Sequence, residues 1–340
     1  MGDGRAVGHI LVTGGAGFIG SHLVDQLLES GTAVRVLDNL STGSLSNLQT
    51  AADQPLRTDG PARGRLEVMV GDVRDREVLR HALRGVRYVF HLAALPPSSG
   101  SSSDSGDVHA VNVEGTLNVL HSALTEGVWR VVLGSCASVY GTPDAIPVRE
   151  DAPLQPESLF AASKVAAETY CRAFYVRHQL DIVMLRYFTV YGPRQKWART
   201  GALVPNLIEA VREHRYSAPL DERCGEDFIF VEDAVAATLA AAQVPGVAGR
   251  AINVGSGQMV SIGDLVGMLA SLLGISVRPT FRSEAGSTVH KMSAEMSLAT
   301  ELLEVSPRVS LATGLARLIR ISAETDEPGV RAFAPVGMDD

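Results

Sequence analysis

The chain has 340 residues, 46% of them hydrophobic, enough apolar material for one large composite domain or for two. Its formal net charge is −8 and it has no run of lysine or arginine, which argues against a nucleic-acid partner. No apolar run approaches the roughly 18 residues that span a bilayer, and Cys136, Cys171 and Cys224 are too few and scattered for a disulfide framework or a zinc site. The polar start, Met1-Gly2-Asp3-Gly4-Arg5, leads into a strand pattern rather than a secretory leader, so a cytoplasmic chain with no membrane or metal partner is expected.

His9–Thr13 reads as a strand, 21–30 as a helix stopped by Gly31, and 33–37 as the next strand. Further strand patterns follow at 66–70, 88–92, 131–133 and 182–185, with helical patterns over 112–126 and 160–178. Such alternation predicts an α/β fold, a Rossmann-type doubly wound parallel sheet covered on both faces. Beyond Tyr187 the rhythm breaks into Pro/Gly-punctuated segments, then helices at 262–273 and 311–322, which predicts a smaller mixed C-terminal lobe. The expected division is 1–186 for the nucleotide-binding domain, which also receives about 227–256, then 187–226 and 257–324 for a substrate lobe and 325–340 for a tail. Residues 98–106 form a Ser/Gly run with too little apolar content to pack.

Thr13-Gly14-Gly15-Ala16-Gly17-Phe18-Ile19-Gly20 directly follows the first strand and opens the first helix. Gly14, Gly17 and Gly20 permit a tight turn, close approach of backbone to a pyrophosphate, and close helix–strand packing, with the helix N-terminus facing the phosphates. Asp38 ends the second strand, where a carboxylate accepts hydrogen bonds from adenosine ribose hydroxyls and repels a 2′-phosphate. NAD is therefore expected rather than NADP.

Seven motifs then occur in order: Gly14-x-x-Gly17-x-x-Gly20, Asp38-Asn39-Leu40-Ser41-Thr42-Gly43, Gly71-Asp72-Val73, His91-Leu92-Ala93-Ala94, Asn112-Val113-x-Gly115-Thr116, Val139-Tyr140-Gly141 and Tyr191-Gly192-Pro193-Arg194. Together, over about residues 8–320, they resemble an extended short-chain dehydrogenase/reductase of the nucleotide-sugar epimerase/dehydratase group. The resemblance implies that Gly14, Gly17, Phe18, Ile19 and Gly20, then Asp38, Asn39, Ser41, Thr42 and Gly43, hold NAD. It further implies Asp72 and Val73 at the adenine, Leu92, Ala93 and Ala94 with Tyr187 on the nicotinamide side, Asn112 as a brace, and Lys164 on the nicotinamide ribose. Asp72 also fits a plain strand-end turn, and His91 reads as a packed histidine contributing backbone.

Members of this group remove a sugar hydroxyl proton with a tyrosine four residues before a lysine, whose charge lowers the phenol pKa from about 10. Here that place holds Phe160, in Phe160-Ala161-Ala162-Ser163-Lys164, and the accompanying serine or threonine is Cys136. Where the resembling dehydratases have Asp-Glu stand Ala137 and Ser138, so dehydration is disfavoured, and Ser-Cys-Ala-Ser-Val-Tyr-Gly lies closest to the 4-epimerase version. A rearranged relay has Cys136, Tyr140, Lys164 or a water to draw on. A thiol between a lysine and a cofactor cation is a base if its pKa is lowered, and otherwise a small buried hydrophobe.

On the substrate side, Thr189 replaces the resembling Asn that grips a sugar diphosphate. Glu226 replaces an arginine, and 282–287 departs from Arg-Pro-Gly-Asp, leaving Arg194 and Arg223 as the candidate cations. Three accounts fit: a working enzyme on a nucleotide sugar or related polyol with a rearranged proton relay, a binding-only descendant that holds NAD, a ligand or a protein partner, and an engineered Tyr→Phe change, the last opposed by the changes at Cys136, Thr189 and Glu226. The resemblance also implies a homodimer through a four-helix bundle built from 112–126 and 160–178, with Val119, Leu120, Val165, Ala166 and Tyr170 on the apolar faces.

Overall fold

The computed structural model describes residues 9–48, 65–95, 105–195, 202–213, 217–218, 224–276, 280–281 and 290–324. Arg223, the 282–287 segment, residues 98–104 of the Ser/Gly run and the 325–340 tail lie outside these residues.

Six short apolar strands come first: β1 (His9–Thr13), β2 (Val34–Asp38), β3 (Leu66–Val70), β4 (Val86–His91), β5 (Arg130–Cys136) and β6 (Asp181–Tyr187). Successive strand residues bury to opposite faces: Leu11, Val131, Leu133, Ile182 and Met184 enter one core, whereas Val12, Val132, Val183 and Leu185 enter the other. The strands carry apolar residues on both sides because helices cover both sides. These are α1 (Phe18–Glu29), α2 (Arg76–Ala82), α3 (Ser105–His109), α4 (Gly115–Thr125) and α5 (Leu159–His178). Asp75 caps α2 by accepting from the Glu77 and Val78 N–H groups, and Ser158 caps α5 through the Ala161 N–H.

The remaining elements are β7 (Thr189–Tyr191), α6 (Leu203–Arg212), β8 (Ser217–Ala218), β9 (Gly225–Phe230), α7 (Val231–Gln243), β10 (Ala251–Val254), β11 (Met259–Ser261), α8 (Ile262–Leu273), β12 (Thr280–Phe281), α9 (Ser297–Leu303) and α10 (Leu311–Glu324). Seven parallel strands form the main sheet in the order β3-β2-β1-β4-β5-β6-β10, with smaller β11-β9-β7 and β12-β8 sheets beside it. The order reverses between β1 and β4, which opens a crevice at the carboxyl ends of the strands.

The segment expected to rejoin the first domain, about 227–256, divides. β10 extends the main sheet beyond β6 and α7 packs on β5 and β6, whereas β9 pairs with β7 and β11 in the small sheet. The helix expected at 112–126 starts earlier, as α3, and passes through a π-helical turn at Ala110–Glu114 before α4. That wide turn carries Asn112, whose amide grips the backbone of Leu95 and the hydroxyl of Ser163.

Arg130 ties three elements together. Its guanidinium pairs with Asp181 at 2.7 and 2.9 Å, joining the starts of β5 and β6, and donates to the Ala241 and Val244 carbonyls at the end of α7. A cation at a helix C-terminus opposes the partial negative charge of its orphan carbonyls. Replacing Arg130 with methionine leaves those groups unpaired, and a loss of about 2–4 kcal/mol is expected from the shift in urea midpoint. An unchanged midpoint would contradict this assignment.

Candidate active site

A cleft of about 330 Å³ runs along the carboxyl ends of the main strands, from Asp38 to Phe160 and Lys164. Its size falls in the range of small-molecule sites, about 300–1,000 Å³. The glycine turn forms one wall. Gly14 has φ +71°, and a Cβ there would press on the Ala93 backbone at 2.7 Å, so glycine lets the β1 and β4 loops meet. A Cβ on Gly20 would collide with the Gly14 carbonyl, which explains the third glycine. Gly17 caps α1 without any side-chain hydrogen bond, so the first-turn N–H groups stay available beside Gly17, Phe18 and Ile19, which line the cleft.

Asp38 stands at the end of β2 with Oδ2 accepting from the Ala16 N–H at 2.9 Å and Oδ1 from the Leu40 N–H at 2.8 Å. Each oxygen keeps a lone pair for a hydroxyl donor. Asn39, Ser41 and Thr42 line the cleft beside it, as do Val73, Leu92, Ala93, Ala94 and Tyr187. An uncapped helix start, a fixed carboxylate and an apolar trough between them suit a dinucleotide in both charge and shape, so these residues fit NAD.

Three expected cofactor residues stand behind the wall rather than in it. Gly43 packs against Ala16 and Asp38, where a Cβ would sit at 3.0 Å from both. Asp72 turns to Arg74, with bonds at 3.0 Å, and accepts from Asn39 at 2.7 Å. Its hydrogen bonds with Arg74 hold its pKa at about 2. Asn112 bridges Leu95 and Ser163, which matches a brace. The lining also includes Leu37, Asn47, Gly71, Leu95, Val111, Gly134, Ser135, Gln195 and Ala202. Most of these enter through backbone or apolar contact, which leaves little signature in sequence.

His91 is fully internal. The Thr116 hydroxyl donates to the Asn112 carbonyl at 2.6 Å, so His91 donates from Nε2 to Thr116 at 3.0 Å and accepts at Nδ1 from Thr13 at 2.7 Å. Burial, with the Lys164 charge second, pushes its pKa down to about 3 and keeps it neutral. Its imidazole, and not only its backbone, therefore joins β1, β4 and the first turn of α4.

At the far end, α5 places Phe160 and Lys164 one turn apart on the cleft wall, with Lys164 Nζ 5.8 Å from the Phe160 ring centroid. The Lys164 ammonium donates to the Gly134 carbonyl at 2.8 Å, and burial lowers its pKa from the ordinary 10.5. Cys136 lines the same end, its Sγ 2.7 Å from the Ser138 hydroxyl. Burial raises the thiol pKa despite the nearby lysine, which fits the small buried hydrophobe of the two readings rather than the base. Tyr140 is not in the cleft. Its hydroxyl donates to Asn253 at 2.7 Å and accepts from Arg186 at 2.8 Å, and burial pushes its pKa up to about 12, so it has no access to a reacting hydroxyl.

Of the expected substrate residues, Thr189 donates to Glu226 at 2.9 Å and lies outside the cleft lining. Arg194 lines the cleft but reaches back to Asp25 on α1 at 2.7 Å, on the glycine-turn side. Glu226 is half-buried, and burial raises its carboxyl pKa.

Over residues 10–255 the sequence matches the NAD dependent epimerase/dehydratase family. A UDP-glucose 4-epimerase of Mycolicibacterium smegmatis is 35% identical over 313 residues, covering 91% of this chain and 96% of that protein. Among solved structures, a UDP-glucose 4-epimerase of Thermotoga maritima with UDP-glucose superposes with a TM-score of 0.84 at 30% identity, covering 94% of this chain and 100% of that one. A dTDP-glucose 4,6-dehydratase of Streptomyces venezuelae with NAD bound gives 0.81 at 32% identity, covering 93% and 97%. Matched by that family model over most of its length and by such relatives over nearly the whole chain, the protein belongs to the NAD-dependent epimerase/dehydratase family.

Proposed function

We propose that the protein is an NAD-dependent enzyme that acts on a nucleotide-diphosphate sugar in the manner of a 4-epimerase, through a 4-keto intermediate. The observation that carries this reading is a cofactor cradle continuous in one cleft with Phe160, Lys164 and Cys136. Bound NAD supplies a hydride acceptor and, on the return, the same hydride. Gly17, Phe18 and Ile19 would hold its pyrophosphate, Asp38 its adenosine ribose, and Leu92–Ala94 with Lys164 its nicotinamide end. The chain itself must orient the sugar, exclude water and carry one proton.

Ala137 and Ser138, next to Cys136, supply no carboxyl group for proton exchange at the neighbouring sugar carbons, which favours epimerisation over dehydration. Phe160 keeps the aromatic wall and removes the hydroxyl. Losing a general acid/base costs about 10²–10⁴-fold in rate, which slows such an enzyme without ending hydride chemistry that belongs to the cofactor. A second reading rests on Glu226: beyond the carboxyl end of β6, a half-buried carboxylate repels a diphosphate and favours a chain that holds NAD without turnover.

We also read the chain as a homodimer through α4 and α5. Val119 and Leu120, expected at the interface, belong to the monomer core, whereas Leu124 and Tyr170 are 37% and 41% exposed and are the better candidates for the seam. Light scattering should return twice the chain mass, and a monomer at micromolar concentration would end this reading.

With NAD and a panel of UDP- and dTDP-sugars, slow conversion to the 4-epimer is expected by chromatography. Phe160→Tyr should accelerate it by about 10²-fold or more. Absence of product in both proteins, together with a melting temperature raised by NAD but not by sugar nucleotides, would favour the binding-only chain.

A further inference from the structure

We propose that the Lys164 amine itself, with no side-chain hydroxyl between, takes the proton from the sugar hydroxyl and returns it. The inference rests on the reading above and names the residue that does the work of the missing phenol. Among the described residues that line the cleft, the side chains free and placed to take a proton from a sugar hydroxyl reduce to one. Asp38 stands at the opposite, adenosine end of the cleft, held there by the Ala16 and Leu40 N–H groups. The Tyr187 hydroxyl is spent on Thr238 at 2.7 Å, and burial pushes its pKa up. Cys136 holds its proton, because burial raises the thiol pKa and outweighs the opposing pull of the Lys164 charge and the Ser138 hydroxyl. Lys164 remains.

Its surroundings suit a group that alternates between amine and ammonium. One N–H goes to the Gly134 carbonyl at 2.8 Å, leaving the rest of the nitrogen's valence for a ligand. Among the described residues no carboxylate pairs with it: the Glu168 charge, one turn along α5, favours the ammonium, but that carboxylate is committed to Arg186 at 2.7 Å. The other groups whose charge bears on Lys164 are Cys136 on β5, Cys171 on α5 and His91 on β4, and burial keeps both thiols protonated and the imidazole neutral. Burial thus lowers the pKa of Lys164 with no ion pair among the described residues to restore it, while the Gly134 carbonyl and the face of the Phe160 ring steady the ammonium once it forms.

The step balances within the site. The hydroxyl O–H bond breaks and an N–H bond forms on Lys164, while the electron pair of the carbinol C–H bond would leave as the hydride that NAD, when bound, would accept. On the return, Lys164 gives its proton back to the oxygen as the carbon recovers its hydride, so no outside oxidant is consumed.

The chain contains only three lysines, Lys164, Lys196 and Lys291, which makes a direct titration practical. In the NAD-loaded protein with ¹³Cε-labelled lysine, one resonance, absent in Lys164→Arg, should titrate below the ordinary 10.5. The sign follows from the amine being the active form: kcat/KM should rise with pH along that same titration and level off above it. Lys164→Arg, which cannot release a proton, should lose about 10²-fold or more in kcat. That variant should still bind NAD, read by melting temperature. A Lys164 resonance that titrates at its ordinary value, or an arginine variant with more than a tenth of the parent kcat, would overturn the proposal. A depressed titration with no sugar turned over would instead sink the epimerase reading and leave the free amine in place.

Discussion

Behind the cleft a buried carboxylate on α5 faces a buried guanidinium on β6: Glu168 and Arg186, 2.7 Å apart. Burying two charges is costly, and such a pair persists only where further hydrogen bonds satisfy both groups. Here Ser135 donates to Glu168 at 2.5 Å, and Arg186 donates to the Tyr140 hydroxyl and the Glu150 carbonyl at 2.8 and 2.9 Å. The pair therefore pins α5 to the carboxyl ends of β5 and β6. Phe160, Lys164 and Glu168 recur every four residues, so they share one helix face, and fixing the last of them aims the first two into the cleft.

The proton-handling end is consequently a rigid, mostly apolar corner. Tyr140 and Ser135 are consumed by the ion-pair network, His91 by the two threonines beside it, and Tyr187 by Thr238. What reaches the reacting region is a phenyl ring, a protonated thiol and an amine whose charge is disfavoured. Replacing a phenol with a phenyl ring in such a corner changes more than one atom, because the lysine no longer has a phenolate to stabilise. Its own ionisation becomes the flexible quantity.

The parallel sheet and glycine turn were legible because they depend on local chemistry: alternating strand and helix patterns, three glycines at fixed offsets and an aspartate at a strand end. Phe160 and Cys136 were legible as departures for the same reason. The part that escaped depends on side chains finding partners far along the chain. Tyr140 lies in a motif beside the cleft, yet Asn253 and Arg186, 113 and 46 residues away, turn its hydroxyl inward. Val119 and Leu120 have the spacing of an interface but meet the sheet instead. The thiol of Cys136 required knowing that burial outweighs the lysine charge, a contest of magnitudes that spacing does not encode.

If hydride chemistry belongs to the cofactor and the chain moves only a proton, the hydrogen on sugar carbon 4 must leave and return without meeting water. A sugar nucleotide deuterated at carbon 4, incubated in ordinary water and analysed by mass spectrometry and NMR, tests this directly. Full retention of deuterium at carbon 4 in both epimers is the predicted result. Loss of the label to solvent, or its transfer to another carbon, would contradict the account.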